Sequence, residues 1–268
     1  MSPTPSPPLA AELTLARQAA AEAAAILQAR EGAEAVREKS PGNLVTAIDE
    51  AAERAIIARI RAHFPHDAIV AEESAASVRA PGRRWIIDPV DGTVNYVHAH
   101  PFACVSIAFA DEAGPAAGVI HAPFLGEVFH AVRGGGAYLN DRPIRVSATA
   151  DGHASLLATG FPFKPGKGDP ARYMALVAEL VPSTHGIRRA GSAALDLAFV
   201  ACGRMDGYFE LGIAPWDVAA GMLLVTEAGG RVSGWPGDQA DPLDSGRILV
   251  SNGHIHTWLE ERVGGRGL

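Results

Sequence analysis

The sequence predicts a mixed fold in two halves, helices on a mostly antiparallel sheet followed by an alternating α/β portion. Three observations carry this: an alanine-rich N-terminal stretch, a run of short β-like segments bounded by Gly, Pro or Asp, and a regular exchange of strand and helix patterns after about Val146. Residues 1–8 are rich in Pro and Ser and lack the basic start and apolar run of a signal peptide, which predicts a disordered tail. Residues 9–30, with Leu13, Leu15, Ile26 and Leu27, favour a helix stopped by Gly32. Thr46 and Asp49 have capping-box spacing, and Ile56, Ile57, Ile60 and Phe64 then recur at helical intervals until Pro65. Strands are expected at 68–71, 85–88, 103–110, 116–121 and 127–132, with Gly134, Gly135 and Gly136 as a hairpin turn.

In the second half, strands are expected at 156–159, near Ile187, and at 208–211 and 248–251. Helices are expected at 170–181, 193–201, 218–228 and 255–263. The sequence holds no internal repeat, and the loops at 164–168 and 234–244 are too short for free linkers. The expected organisation is therefore 9–146 packed closely on 147–268, with an active site between them.

A net charge of −7 leaves no basic footprint for nucleic acid, and it repels a polyanionic substrate unless cations intervene. Two cysteines, Cys104 and Cys202, support neither a disulfide framework nor a thiolate metal site, and both read as small buried hydrophobes. No stretch has the apolar length to cross a bilayer, so a cytoplasmic protein with no membrane partner is expected.

The chemistry-bearing signal is Trp85-Ile86-Ile87-Asp88-Pro89-Val90-Asp91-Gly92-Thr93, an apolar strand ending in two acids and a turn. Two carboxylates sharing a crevice repel unless a cation sits between them, and hard oxygen donors without Cys suit magnesium better than zinc. Gly92 and Thr93 then offer backbone N–H groups at a short helix start, where a phosphate oxygen fits. Taken alone, the segment has a plainer alternative as an Asp-Gly turn with a capping Asp88. Two further acidic positions shift the balance: Glu72-Glu73 at the end of the 68–71 run, and Asp217 at the start of the helix after Pro215-Trp216.

With these residues in place, the chain resembles the inositol monophosphatase family, in its bacterial branch. The matching stretches are Leu44-Val45-Thr46 with Asp49, Ala71-Glu72-Glu73-Ser74, Asp88 through Tyr96, Thr159-Gly160-Phe161-Pro162, Arg189 through Ala194, and Pro215-Trp216-Asp217 through Glu227-Ala228-Gly229-Gly230, in family order. The resemblance implies a layered α-β-α-β-α fold of sugar-phosphatase type, a homodimer, lithium inhibition, and up to three Mg2+ ions. Glu72, Asp88, the Val90 carbonyl, Asp91 and Asp217 correspond to the metal ligands, with Glu72 also counted in the catalytic set. Asp49 and Thr93 correspond to the pair that orients and helps deprotonate the attacking water. Gly92 and Thr93 correspond to the phosphate contacts, Ala193 and Glu210 to the contacts with substrate hydroxyls. The implied substrate is a small phosphorylated polyol, inositol monophosphate first. Histidinol phosphate and fructose 1,6-bisphosphate are the alternatives within the superfamily, and some bacterial relatives contact the transcription machinery.

Asn43 stands where many relatives carry an acid, beside a tight turn from Pro41 and near Lys39, and Ala99 stands where relatives have glycine. His98 and His100 read as loop residues, His254 and His256 as surface residues. The run from Gly160 to Gly168 has the wrong glycine-lysine spacing for a P-loop, no Gly-x-Ser-x-Gly elbow occurs, and the Asp88/Asp91 spacing is not the Asp-x-Asp of haloacid dehalogenase phosphatases.

Overall fold

The computed structural model describes residues 9–30, 36–40, 43–74, 82–162 and 168–264, without the side chains of Lys39, Ser40, Asn43 and Leu44. The expected tail at 1–8, the Gly32 stop, Pro41, and residues 164–167 of one expected loop lie outside that set, as do the side chains of Lys39 and Asn43.

Helix α1 (Ala10–Ala29) buries a stripe of Leu15, Ala16, Ala19, Ala20, Ala23 and Leu27. A short antiparallel ribbon follows, β1 (Val36–Ser40) on β2 (Asn43–Thr46). Thr46 then caps α2 (Ala47–His63) through the expected capping box with Asp49. Strands β3 (Ala68–Ala71) and β4 (Arg84–Asp91) pair in parallel. The one-turn helix α3 (Thr93–Val97) leads to β5 (Cys104–Asp111), β6 (Gly114–Ala122), β7 (Glu127–Val132), β8 (Gly136–Leu139) and β9 (Arg142–Pro143). These continue the sheet in antiparallel sequence, giving seven strands in the order β3-β4-β5-β6-β7-β8-β9. The triple glycine is the β7–β8 turn, as expected, and its Gly134 and Gly136 N–H groups hold the Glu227 carboxylate at 2.8 and 2.9 Å.

Past a 3-10 turn at Gly152–Ala154 comes β10 (Leu156–Thr159), then α4 (Pro170–Leu180), β11 (Gly186–Arg188), α5 (Ala193–Ala201), β12 (Gly207–Leu211) and α6 (Pro215–Glu227). The chain closes with β13 (Arg231–Ser233), α7 (Pro242–Ser245), β14 (Arg247–Ser251) and α8 (His256–Val263). The second sheet runs β11-β10-β12-β14-β13, parallel around β10 and antiparallel around β14.

Strand alternation sorts the side chains into three cores. Trp85, Ile87, Val105, Ile107 and Phe109 pack beneath α1 and α2. Ile86, Cys104, Ala108 and Ile120 point the other way and share a core with α5, α6 and the inner side chains Tyr208, Ile248 and Val250 of the second sheet. Leu157, Phe209 and Leu249 meet α4 and α8 on the far face. The outcome is five layers, α-β-α-β-α, and among the described residues no helix is long and apolar enough to cross a membrane.

Several expectations need correction. Strand β4 does not stop at Asp88 but continues through a bulge to Asp91. His256 is not a surface residue: it is fully buried, with Ser251 Oγ 2.9 Å from Nδ1 and Ser233 Oγ 3.0 Å from Nε2, and only its neighbour His254 is exposed. Cys104 is buried as expected, whereas Cys202 is only half-buried. Ala99 adopts φ 57, the left-handed backbone that glycine takes more readily.

Candidate active site

The bulge at the end of β4 builds the site. Asp88 pairs with Ser106 and Asp91 with Cys104, so three steps on β4 face two on β5, a register shift centred on Pro89 and Val90. Proline has no N–H for the ladder, and a bulge re-aims the side chains beside it. Asp88 Oδ1 accepts the Val90 N–H at 3.0 Å. Asp91 Oδ2 accepts the Ser192 hydroxyl at 2.6 Å and the Ala194 N–H at 2.7 Å, and so ties β4 to the first turn of α5. Asp217, in the first turn of α6, is held by the Ala214 N–H at 2.6 Å. One carboxylate oxygen from each of Asp88, Asp91 and Asp217 lies within 4.8 Å of the others.

Glu72 lies just past β3, anchored by its own N–H to the Ile87 carbonyl at 3.2 Å, and it lines the same cleft outside that tight trio. Burial, and then the charges of Glu72, Asp91 and Asp217, push the Asp88 carboxyl well above the usual range. Asp91 rises to about 6, again first through burial, with the Ser192 and Ala194 hydrogen bonds holding it back. Acids crowded this closely, supplying only hard oxygen donors, fit a divalent cation such as magnesium.

Just past Asp91, Thr93 Oγ1 lies 3.2 Å from Asp49 Oδ1 and 3.0 Å from the Val90 carbonyl. Asp49 is fully buried and accepts the Thr46 N–H at 2.9 Å, so the box that starts α2 also fixes this acid. Burial raises its pKa against the opposing bonds from Thr46 and Thr93. Gly92 precedes Thr93 at φ 93, and a Cβ there would meet the Phe102 carbonyl at 2.8 Å, so only glycine allows this turn.

The cleft holds about 150 Å³ and is closed on its far side by Arg189, Gly191, Ala193, Asp196, Glu210 and Ile213. Burial raises Glu210 to about 7, although Tyr208 donates its hydroxyl to Oε2 at 2.5 Å. Every expected site residue except Asp49 lines this cleft, and Asp49 reaches it through Thr93. The sequence reading missed Ser192, whose signal is a serine directly before an apolar helix. It also missed Asn95, which donates to the Phe102 and Ala190 carbonyls at 2.7 and 2.8 Å and bridges the two walls.

The sequence profile of the inositol monophosphatase family matches residues 9–264. An inositol-1-monophosphatase of Synechocystis is 46% identical over 223 residues, 83% of this chain and 77% of that protein. A Nus factor SuhB of Salmonella typhimurium is 41% identical over 247 residues, 91% of this chain and 92% of that protein. Among solved structures, an inositol monophosphatase from Anabaena superposes with a TM-score of 0.82 at 42% identity over 95% of both chains. The extragenic suppressor protein suhB of Bartonella henselae reaches 0.88 at 37% identity, covering 96% of this chain and 99% of that one.

Proposed function

The chain belongs to the inositol monophosphatase family, and from that premise we propose that this phosphomonoesterase hydrolyses inositol monophosphate, or a closely similar polyol phosphate, in a magnesium-dependent reaction. The observation that carries the reading is the convergence of Asp88, Asp91 and Asp217 from a strand end and a helix start into one cleft with Glu72. Glu72, Asp88, Asp91, Asp217 and the Val90 carbonyl would hold up to three Mg2+ ions. Bound there, the cations would offset the charge of the ester dianion, acidify a water and stabilise the leaving alkoxide.

The remaining work falls to the protein's own groups. The Thr93 hydroxyl donates to Asp49, which leaves its lone pairs free to accept a proton from the attacking water while its own proton moves to the acid. Because burial raises the pKa of Asp49, it is a stronger base than an exposed carboxylate. The Gly92 and Thr93 backbone holds the phosphate, and Ala193 and Glu210 take the hydroxyls of the leaving group. Attack is in line by water without a phosphoenzyme, so trapping a phosphoaspartate during turnover would sink this route.

The test is phosphate release from inositol monophosphate, histidinol phosphate, fructose 1,6-bisphosphate and glycerol phosphate, with magnesium or with chelator. Release that is magnesium-dependent, inhibited by lithium, and lowered about a thousandfold or more by Asp88→Asn is expected. Release unaffected by chelator contradicts the reading. A second reading is favoured by the relatives named Nus factor SuhB: a regulatory partner of the transcription machinery, compatible with catalysis. A pull-down whose partner survives Asp88→Asn while phosphate release is lost would separate the two.

A further inference from the structure

Asp196 has no place in the chemistry described so far. It lies in α5 three residues after Ala193, one turn on and on the same side of the helix, and it lines the cleft. It is only 1% exposed, yet its Oδ1 has no hydrogen-bond partner among the described residues. Its helix neighbours Leu195, Leu197, Ala198 and Val200 are buried and apolar. An unpaired buried oxygen costs about 1–3 kcal/mol, and an apolar side chain of similar shape would remove that cost. The charged groups facing it are Glu210, Asp91 and Arg189, and none of them forms a hydrogen bond with it.

No described residue supplies the missing donor. Acceptors already crowd this end of the cleft, since Glu210 stands close enough to raise the proton affinity of Asp196. A neutral donor suits the position, because a cation is drawn instead to the denser trio of Asp88, Asp91 and Asp217. A polyol leaving group provides neutral donors on adjacent carbons, one for each acid.

We propose that Asp196 is a specificity-determining residue whose unpaired carboxyl oxygen accepts a hydrogen bond, directly or through one water, from a leaving-group hydroxyl next to the one taken by Glu210. The cleft then reads a vicinal diol. This assignment rests on the phosphomonoesterase reading above and names the part of the substrate that reading left open.

The experiment compares inositol 1-phosphate with cyclohexyl phosphate, the same ring without hydroxyls, in wild type and in Asp196→Leu, Asp196→Ala and Asp196→Asn. The Leu and Ala variants should raise KM for inositol 1-phosphate about tenfold and leave kcat/KM for cyclohexyl phosphate unchanged. Asp196→Asn keeps an acceptor oxygen and should recover most of the loss, and the melting temperature of Asp196→Leu should not fall. The assignment is overturned if both esters lose equally, if neither changes, if Asn is as impaired as Leu, or if Leu and Ala both fail to fold. A wild type that cleaves neither of these two esters removes the inositol-phosphate reading, and this assignment with it.

Discussion

At Asp91 the fold works against itself for the sake of the site. A carboxyl raised to about 6 binds its proton more tightly in the folded chain than in the unfolded one, where the ordinary value is 3.8. Below about pH 4 both states hold the proton and nothing is lost. Between about pH 4 and pH 6 only the folded state still holds it, so stability declines as pH rises, and it stays low above that window. Asp91→Asn keeps an oxygen for the Ser192 hydroxyl and the Ala194 N–H but carries no charge. In chelator at about pH 7.5 this variant should be more stable than wild type by roughly 1–3 kcal/mol, with the gap closing near pH 4. Denaturant midpoints at the two pH values measure it, and a gap that persists unchanged at acid pH would refute the assignment of strain to this charge. Asp196 differs in kind, because its Oδ1 also lacks a hydrogen-bond partner among the described residues.

The elements carry the site by sharing residues with it. Thr46 and Asp49 start α2, and the same Asp49 lies behind the cleft wall within hydrogen-bond reach of Thr93. Thr46→Ala should therefore cost about 1 kcal/mol of stability and also lower kcat, because the acid loses both its Thr46 hydroxyl contact and the geometry set by the cap. Stability curves and turnover measured together test this, and a stability loss with unchanged kcat would show the cap to be structural only. Helices α5 and α6, which bring Ser192 and Asp217 to the cleft, cross at Gly221, where a Cβ would lie 2.5 Å from Leu197 Cβ. Gly221→Ala should force the helices apart at a cost of about 1–3 kcal/mol and weaken magnesium activation by displacing Asp217 relative to Asp91, read as a raised activation constant. The strands that pair around Asp88 were legible because Val, Ile and Phe runs end in Gly, Pro or Asp. The ribbon of β1 and β2 was not, since Val36-Arg37-Glu38 carries no alternation that distinguishes strand from loop. His256 was misread for a related reason: spacing cannot show that two serines from β13 and β14 wait for its ring nitrogens. The acids of the site were visible one by one, while the bulge and the Ser192 cap that aim them exist only after strand pairing.

On the scale of the whole molecule, the cleft is where the two sheets are joined by polar rather than apolar contacts. Glu72, Asp88 and Asp91 lie at the C-terminal ends of β3 and β4 in the seven-stranded sheet, Ser192 and Asp217 at the starts of helices that pack between the sheets, and Glu210 on the five-stranded one. Without a cation these groups add repulsion at the seam, and with one they become a cross-link between layers. A ligand that binds only the folded state adds about 2.7 kcal/mol at a hundredfold excess over its dissociation constant. For a chain of this size that corresponds to a melting shift of roughly 5–10 °C on adding magnesium. Asp217→Asn, which removes the charge contributed by α6, should lose most of that shift while melting no lower than wild type in chelator. Differential scanning calorimetry in magnesium and in chelator decides it. Because the cross-link joins particular segments, hydrogen exchange should slow at the end of β4 and in the first turns of α5 and α6, and stay unchanged in α1 and α8. Slowing spread evenly over all five layers would mean that magnesium acts through general charge screening, and that the carboxylates do not bind it as a set.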